Sequence, residues 1–238
     1  SAIRVEGKKT QKRLAIVGGG SAGLVTLKLA LDQLPDFEVC CFEKTSSTHG
    51  AWGETYKGFV STSTKYTTQF SCHRKFDSQV QVGANVEFNE FFRDNEYGDY
   101  LQSFVEEKNL GDFIYKNHDV QKITRKEGKW ELSILFEGKQ KLKLFDYLVI
   151  STGLAEKPKA IDSPIKTIIS FDPKEPVSGK KIVVVGGGES ATDMANRLAS
   201  PDLNNQVYLS LKTGIRVSPR YHPIKGVPSD FLRNRFLI

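Results

Sequence analysis

An α/β fold built from two similar strand–turn–helix units is what the sequence predicts, on three observations. The stretch "RLAIVGGGSAGLVTLKLAL" from Arg13 and the stretch "KKIVVVGGGESATDMANRL" from Lys180 share one grammar: an apolar run, a glycine turn and an amphipathic segment. Between them lie three short β-like stretches joined by "EGK" turns at Glu127 and Glu137, the pattern of an antiparallel meander. The 238 residues are enough for one large domain or two ordinary ones.

The elements follow in order. "SAIRVEGKKTQKR" is polar and basic without an apolar signal core, and its Ser-Ala start points to processing or to an added scar. Leu14 to Val17 is a short apolar strand ending at Gly18; an amphipathic helix from Ser21 to Leu34 and the buried-strand pattern "FEVCCFEK" complete a β-α-β unit. Residues 50 to 95 are rich in Ser, Thr, Gly and aromatics with weak periodicity, which predicts loops with little regular structure. Tyr100, Leu101, Phe104 and Val105 then have helical spacing. After the meander of "HDVQKITR", "KWELSILF" and "KLKLF", the strand "DYLVISTG" ends in Ser151, Thr152 and Gly153, and "EKPKAIDSP" reads as a linker. "KTIISFDP", the second β-α-β unit from Lys181 and the strand in "QVYLSLKTG" follow.

Composition narrows the function classes. The net charge is +6 and the pI about 9.1, but Lys and Arg are spread along the chain and balanced locally by acids, so no nucleic-acid partner is expected. No stretch approaches the roughly 18 apolar residues of a membrane span, so the expectation is a soluble, cytoplasmic protein without a membrane partner. Cys40, Cys41 and Cys72 form no C-x-x-C, so neither a disulfide framework nor a metal site is signalled, and Cys40 and Cys41 are expected in the core. His49, His73, His118 and His222 lack ligand spacing and are expected at the surface or in loops.

The glycine turns carry the chemistry. Gly18, Gly20 and Gly23 fill G-x-G-x-x-G: one glycine for the tight turn, one for backbone approach to a pyrophosphate, one for close helix–strand packing. Amide groups and the helix dipole at such a turn attract phosphates. Glu43 closes the next strand, where a carboxylate accepts hydrogen bonds from ribose hydroxyls. The second unit has Gly186, Gly188 and then Ala191, and its next strand ends in "SLKTG" rather than an acid. Lys212, with the hydroxyls of Ser210 and Thr213, would attract a 2′-phosphate, which favours NADP over NAD. Both units are therefore predicted to be Rossmann-like dinucleotide-binding domains, the first at 12–160 with the meander and the second, expected to be incomplete, at 161–238.

With these residues the chain resembles the flavin-containing monooxygenases. The likeness rests on an ordered series, "VGGGSAG", "FEK", "GAWG", "STSTKY", "VISTG", "GKKIVVVGGGESATD" and "LSLKTGIRVSPR", from about Arg13 to Arg220. The resemblance implies that Gly18, Gly20, Ser21, Ala22 and Gly23 hold the FAD pyrophosphate, with Glu43 and Lys44 at the adenosine ribose. Trp52 would lie beside the flavin-side ribityl or phosphate, the backbone of Val120 at the adenine, and Thr152 and Gly153 near the FAD. Gly186, Gly188, Glu189 and Ser190 would cradle NADPH, with Ser210, Lys212, Thr213 and Arg220 at its 2′-phosphate. In that class NADPH reduces FAD, O2 adds to the reduced ring as a C4a-peroxyflavin, and one oxygen atom passes to a nucleophilic N- or S-containing substrate or to a carbonyl.

Departures from the family pattern open alternatives. Typical members carry an asparagine near the flavin's reactive edge where this chain has Thr62, the one catalytic candidate, and a linker histidine where it has Ile169. These favour an NADPH-dependent flavoprotein reductase or oxidase without oxygen insertion. Family chains also continue past the point matching Ile238, and Phe231, Leu232, Phe236, Leu237 and Ile238 form an apolar ending. This predicts an interrupted domain, completed by a second polypeptide or homo-oligomer or belonging to a longer protein; a non-catalytic dinucleotide-binding subunit is the third reading.

Overall fold

The computed structural model describes residues 11–53, 55–77, 90–154, 162–165, 167, 177–224 and 226–232. The described residues fall into two compact units, the first reaching Leu154 and the second starting at Asp162. The linker "EKPKAIDSP", "KTIISFDP" with Ile169, the apolar ending beyond Leu232 and the domain boundary drawn at 160 lie wholly or largely outside the described residues.

The first unit has three layers. Strand β1 (Lys12–Val17), helix α1 (Ser21–Gln33) and strand β2 (Phe37–Phe42) form the β-α-β unit. Strand β3 (Val60–Thr64), the one-turn helix α2 (Lys65–Thr68) and strand β4 (Phe91–Arg93) precede helix α3 (Glu96–Glu107) and the short strand β5 (Ile114–Tyr115). Strands β6 (Asp119–Lys126), β7 (Lys129–Phe136) and β8 (Lys139–Phe145) make the antiparallel meander, and β9 (Tyr147–Ile150) returns to the main sheet. That sheet is parallel throughout, in the order β5-β2-β1-β9.

Burial on both faces explains why the central strands read as unbroken apolar runs. Alternation along β1 sends Leu14 and Ile16 into a core with Leu24 and Leu27 of α1 and Leu101 and Phe104 of α3. Ala15 and Val17 face the other way, against Phe42 and the meander's Leu132, Ile134 and Phe145. The meander turns are two-residue loops with positive φ at both positions, 48° and 78° at Glu127 and Gly128 and 48° and 72° at Glu137 and Gly138. This is the twist that joins adjacent antiparallel strands without splaying them. Arg13 ties the layers at their edge: its guanidinium grips both Glu38 oxygens (2.9 and 3.0 Å), donates to the Leu144 carbonyl (2.8 Å) and stacks over Phe145.

Two expectations need correction. Residues 50–95 hold regular structure after all: β3 and β4 pair antiparallel, Val60 with Arg93 and Thr64 with Phe91, across an irregular register. The partners lie about thirty residues apart and share no turn signal, so local pattern could not reveal the pairing. His73 lies in a loop, one of the two places expected for it, but is buried there rather than at the surface, at 3% exposed. The Tyr100 hydroxyl accepts from the Phe70 amide (2.6 Å) and donates to the His73 carbonyl (2.9 Å), which holds this loop on α3. The imidazole lies against the rings of Tyr100 and Phe104, with Nδ1 3.3 Å from Glu107 Oε2 and Nε2 3.1 Å from Ser103 Oγ. The thiols of Cys40 and Cys41 are buried as expected, and burial pushes Cys41 up to about 12, which makes it an inert core group.

The second unit is thinner. Strand β10 (Lys181–Val185) pairs parallel with β11 (Gln206–Ser210), and helix α4 (Glu189–Leu198) connects them. Val183 and Val185 of β10 and Tyr208 of β11 are 56%, 63% and 49% exposed, so one apolar sheet face is uncovered among the described residues. Among the described residues, no helix is long and apolar enough to cross a membrane.

Burial lowers the pKa of His73 below the usual histidine range, opposed by Glu107 and reinforced by Lys75 and Lys108. Folding therefore favours the neutral ring: its contribution is complete above about pH 6.5, the unfolded value, and is lost as pH falls below it. The stability difference between wild type and His73→Gln should shrink as pH is lowered from 7 to 5, as read by urea denaturation.

Candidate functional site

The first glycine turn is set by backbone contacts that leave no room for side chains. Gly18 has φ +103°, and a Cβ there would stand 2.3 Å from the Ser151 carbonyl oxygen. A Cβ on Gly23 would stand 1.8 Å from the Gly18 carbonyl oxygen, so α1 lies directly on the end of β1. The turn is pinned by Gly18 N–H to Phe42 O and by Ser151 N–H to Val17 O, both 2.8 Å. Gly20 approaches a second glycine, Gly50 of "GAWG": a Cβ on Gly50 would lie 3.1 Å from the Gly20 Cα.

The mouth of the turn exposes amides. Gly20 caps α1 without a side-chain hydrogen bond, and no acid occupies the first turn, so the amides of Ser21, Ala22 and Gly23 meet no capping side chain. A helix N-terminus of this kind favours an anion by its partial positive charge and its N–H donors. Burial holds the Tyr97 phenol above its usual range, with the Ser21 hydroxyl opposing the shift.

Glu43 is the anchor of this end of the sheet. Its carboxylate is 6% exposed and accepts the Gly19 N–H on Oε2 (2.7 Å) and both the N–H and the hydroxyl of Thr45 on Oε1 (2.8 Å each). A buried carboxylate without such donors would be costly; three charge-assisted hydrogen bonds offset the desolvation. The His118 N–H donates to the Glu43 carbonyl (2.8 Å) and the Asn117 N–H to the Thr45 carbonyl (3.0 Å), so the chain that leads into β6 and Val120 runs beside the backbone of Glu43 and Thr45.

The structure thus brings together Gly18, Gly20, Ser21, Ala22, Gly23, Glu43 and the approach to Val120, with Thr152 following the Ser151 carbonyl that packs on Gly18. Gly153 has φ +84° and open space where a Cβ would stand, and Lys44 is exposed beside Glu43. The Trp52 ring lies edge-on to Tyr97 (5.2 Å) and near Phe59 (5.8 Å). Thr62 is exposed on β3, within the irregular stretch of the β3–β4 register. Thr45, Gly50 and Tyr97 were missed from sequence; only Gly50 carried a signal, as the first glycine of "GAWG".

The second turn repeats the first with looser contacts. Gly186 has φ +132°, and a Cβ there would meet Ala191 Cβ at 3.3 Å. The Gly186 N–H donates to the Ser210 carbonyl (3.0 Å), and a Cβ on Gly187 would touch Leu211, so the turn and the end of β11 are neighbours. Ser210, Lys212 and Thr213 are exposed there. Gly188 caps α4 without a side-chain bond and with open space in front; Glu189 in the first turn complements the dipole, and its amide and that of Ser190 are the available donors. Arg220 lies farther along, its carbonyl accepting the Ser229 N–H (2.7 Å) in a closing turn. No group of three or more His, Cys, Asp or Glu able to hold a metal occurs among the described residues.

The family model described as flavin-binding monooxygenase-like matches residues 11–237. The chain is 28% identical over 250 residues to dimethylaniline monooxygenase (N-oxide-forming) 4 of Rattus norvegicus, covering 94% of this chain and 42% of that protein. It is 29% identical over 246 residues to flavin-containing monooxygenase 1 of Mus musculus, covering 93% and 44%. Among solved structures, S-allyl-L-cysteine S-oxygenase from Allium sativum aligns with TM-score 0.68 at 20% identity, over 90% of this chain and 54% of that one. Bacillithiol disulfide reductase from Bacillus cereus aligns with TM-score 0.68 at 19% identity, over 90% and 62%. The OTEMO complex with FAD and NADP aligns with TM-score 0.66 at 17% identity, over 95% and 44%. These structures share the two-unit α/β fold; the chain spans less than half the length of both relatives.

The glycine contacts separate fold from ligand approach. Gly23→Ala should cost about 1–3 kcal/mol of stability through overpacking, whereas Gly188→Ala, with open space at its Cβ, should cost under about 1 kcal/mol. Chemical denaturation of the two variants checks this order.

Proposed function

The chain belongs to the flavin-binding monooxygenase-like family, and from that membership we propose that it is the FAD- and NADPH-binding part of a monooxygenase. That enzyme inserts one oxygen atom of O2 into a small-molecule substrate. The observation that carries the proposal is the pair of strand–glycine turn–helix units, each opening on a helix whose first-turn amides meet no capping side chain. Such turns fit a dinucleotide: the backbone comes to the surface where glycine stands, and donors converge on one side.

In this reading residues 12–160 hold FAD and residues 161–238 contribute to the NADPH domain. The amides of Ser21 to Gly23 hold the pyrophosphate, Glu43 takes the adenosine ribose with Lys44 beside it, the Val120 backbone lies at the adenine, and Thr152 and Gly153 line the FAD. Gly186, Gly188, Glu189 and Ser190 present their backbone to NADPH, and Lys212, with Ser210, Thr213 and Arg220, attracts its 2′-phosphate. Bound FAD supplies the redox and oxygen chemistry, so the protein's work is binding, orientation and exclusion of water rather than nucleophilic attack. The N-oxide-forming name of the rat relative supports a nucleophilic nitrogen substrate over a carbonyl.

One observation favours a second reading. Thr62 stands where the family pattern has asparagine, and a hydroxyl does not reproduce an amide's paired donor and acceptor. A reductase or oxidase that consumes NADPH and releases hydrogen peroxide with every substrate tried would support that reading over oxygen insertion.

The purified chain should bind FAD with a yellow flavin spectrum and should prefer NADPH to NADH. Lys212→Ala should weaken NADPH binding about 10- to 100-fold, the value of a charge-assisted contact, and leave NADH binding unchanged in fluorescence titration. Equal wild-type affinity for NADH and NADPH would overturn the assignment of Lys212.

A further inference from the structure

We propose that the Thr45 hydroxyl competes with the ribose hydroxyls for the Glu43 carboxylate and yields to them by rotating onto the Ser47 carbonyl, which makes Thr45 a positioning residue for the nucleotide. This rests on the reading that the first unit binds a dinucleotide. A carboxylate offers about four lone-pair sites. Three are taken in the structure: one on Oε2 by the Gly19 N–H and two on Oε1 by the Thr45 N–H and hydroxyl. A ribose diol brings two donors to a group with about one site left, so one resident donor has to leave.

The two amides are held by the backbone around them. Gly19 is in contact with the Glu43 side chain, its Cβ position 3.0 Å from Glu43 Cβ, and lies next to Gly18, whose amide is bonded to Phe42. On the other side, the Thr45 backbone is tied down through the next peptide, whose Thr45 carbonyl accepts the Asn117 N–H. The hydroxyl is different. It has a single proton and a second acceptor in reach, the Ser47 carbonyl 2.9 Å from Oγ1. Turning about its own Cβ–O bond transfers the donor from Glu43 to Ser47, leaves no hydrogen bond unmade and frees a site on Oε1 toward the ribose. The exchange replaces a bond to a charged acceptor with one to a neutral acceptor, the weaker of the two. That difference is a penalty on binding a ribose diol, and it is specific to the diol.

The test measures binding of ADP and of 2′,3′-dideoxy-ADP to the full 238-residue chain by calorimetry. Thr45→Val keeps the shape and removes the hydroxyl, and it should tighten ADP about 3- to 10-fold without changing the dideoxy probe. Thr45→Ser, which keeps the rotor, should bind both as wild type does. Thr45→Ala should repeat the valine result, which keeps the test open if valine prevents folding. ADP affinity left unchanged or weakened in both hydroxyl-free variants, or an equal change for both probes, would overturn the role of Thr45 alone. A folded wild-type chain that binds neither ADP nor FAD would overturn the dinucleotide reading beneath it.

Discussion

Gly23 meets the Gly18 carbonyl so closely that a methyl group would stand 1.8 Å from that oxygen. The first unit depends on this contact. It seats α1 on the end of β1, so that Leu24, Leu27 and Ala30 enter the core with Leu14 and Ile16. It also points the first-turn amides out beyond the sheet. Any side chain at Gly23 would lift the helix away from the strand, and packing and site would change together.

Charge at the same end of the sheet is handled by geometry rather than exposure. Glu43 is buried, yet backbone and hydroxyl donors from both sides of it satisfy its oxygens. The parallel register of β1 and β2, Val17 opposite Phe42, places Glu43 beside the glycine turn. The chain at 117–118 closes the arrangement from the third side. A carboxylate held this way is preorganised: its position is settled by the fold, and only the identity of its donors is open to exchange.

The second unit uses the same grammar with less enclosure. Ala191 replaces the third glycine, and a Cβ placed on Gly186 would stand 3.3 Å from the Ala191 Cβ, a tight approach rather than the outright overlap found between Gly23 and the Gly18 carbonyl. Helix α4 buries no residue fully, and the facing strands leave valines and a tyrosine exposed. The hydrophobic layer that holds the first turn from both faces is present here on one face only among the described residues.

Much of this was legible in the residues alone. The runs Leu14–Val17 and Val39–Phe42 reveal strands buried on both faces, the Glu-Gly pairs reveal the meander turns, and the glycine spacing reveals both cradles, because each is a local backbone requirement written into consecutive residues. The pairing of β3 with β4, the burial of His73 against Tyr100 and Phe104, and the contact of Trp52 with Tyr97 were not legible. Their partners lie about thirty to forty-five residues away, and no local period encodes such a distance. By itself the sequence determined where the backbone must turn and which residues are small or acidic at those turns. The tertiary structure alone decided what the acid touches: the donors on Glu43 come from Gly19, 24 residues before it, and Thr45, two after it. Hydrogen-bond partners are chosen by position in space, which only the closed sheet supplies.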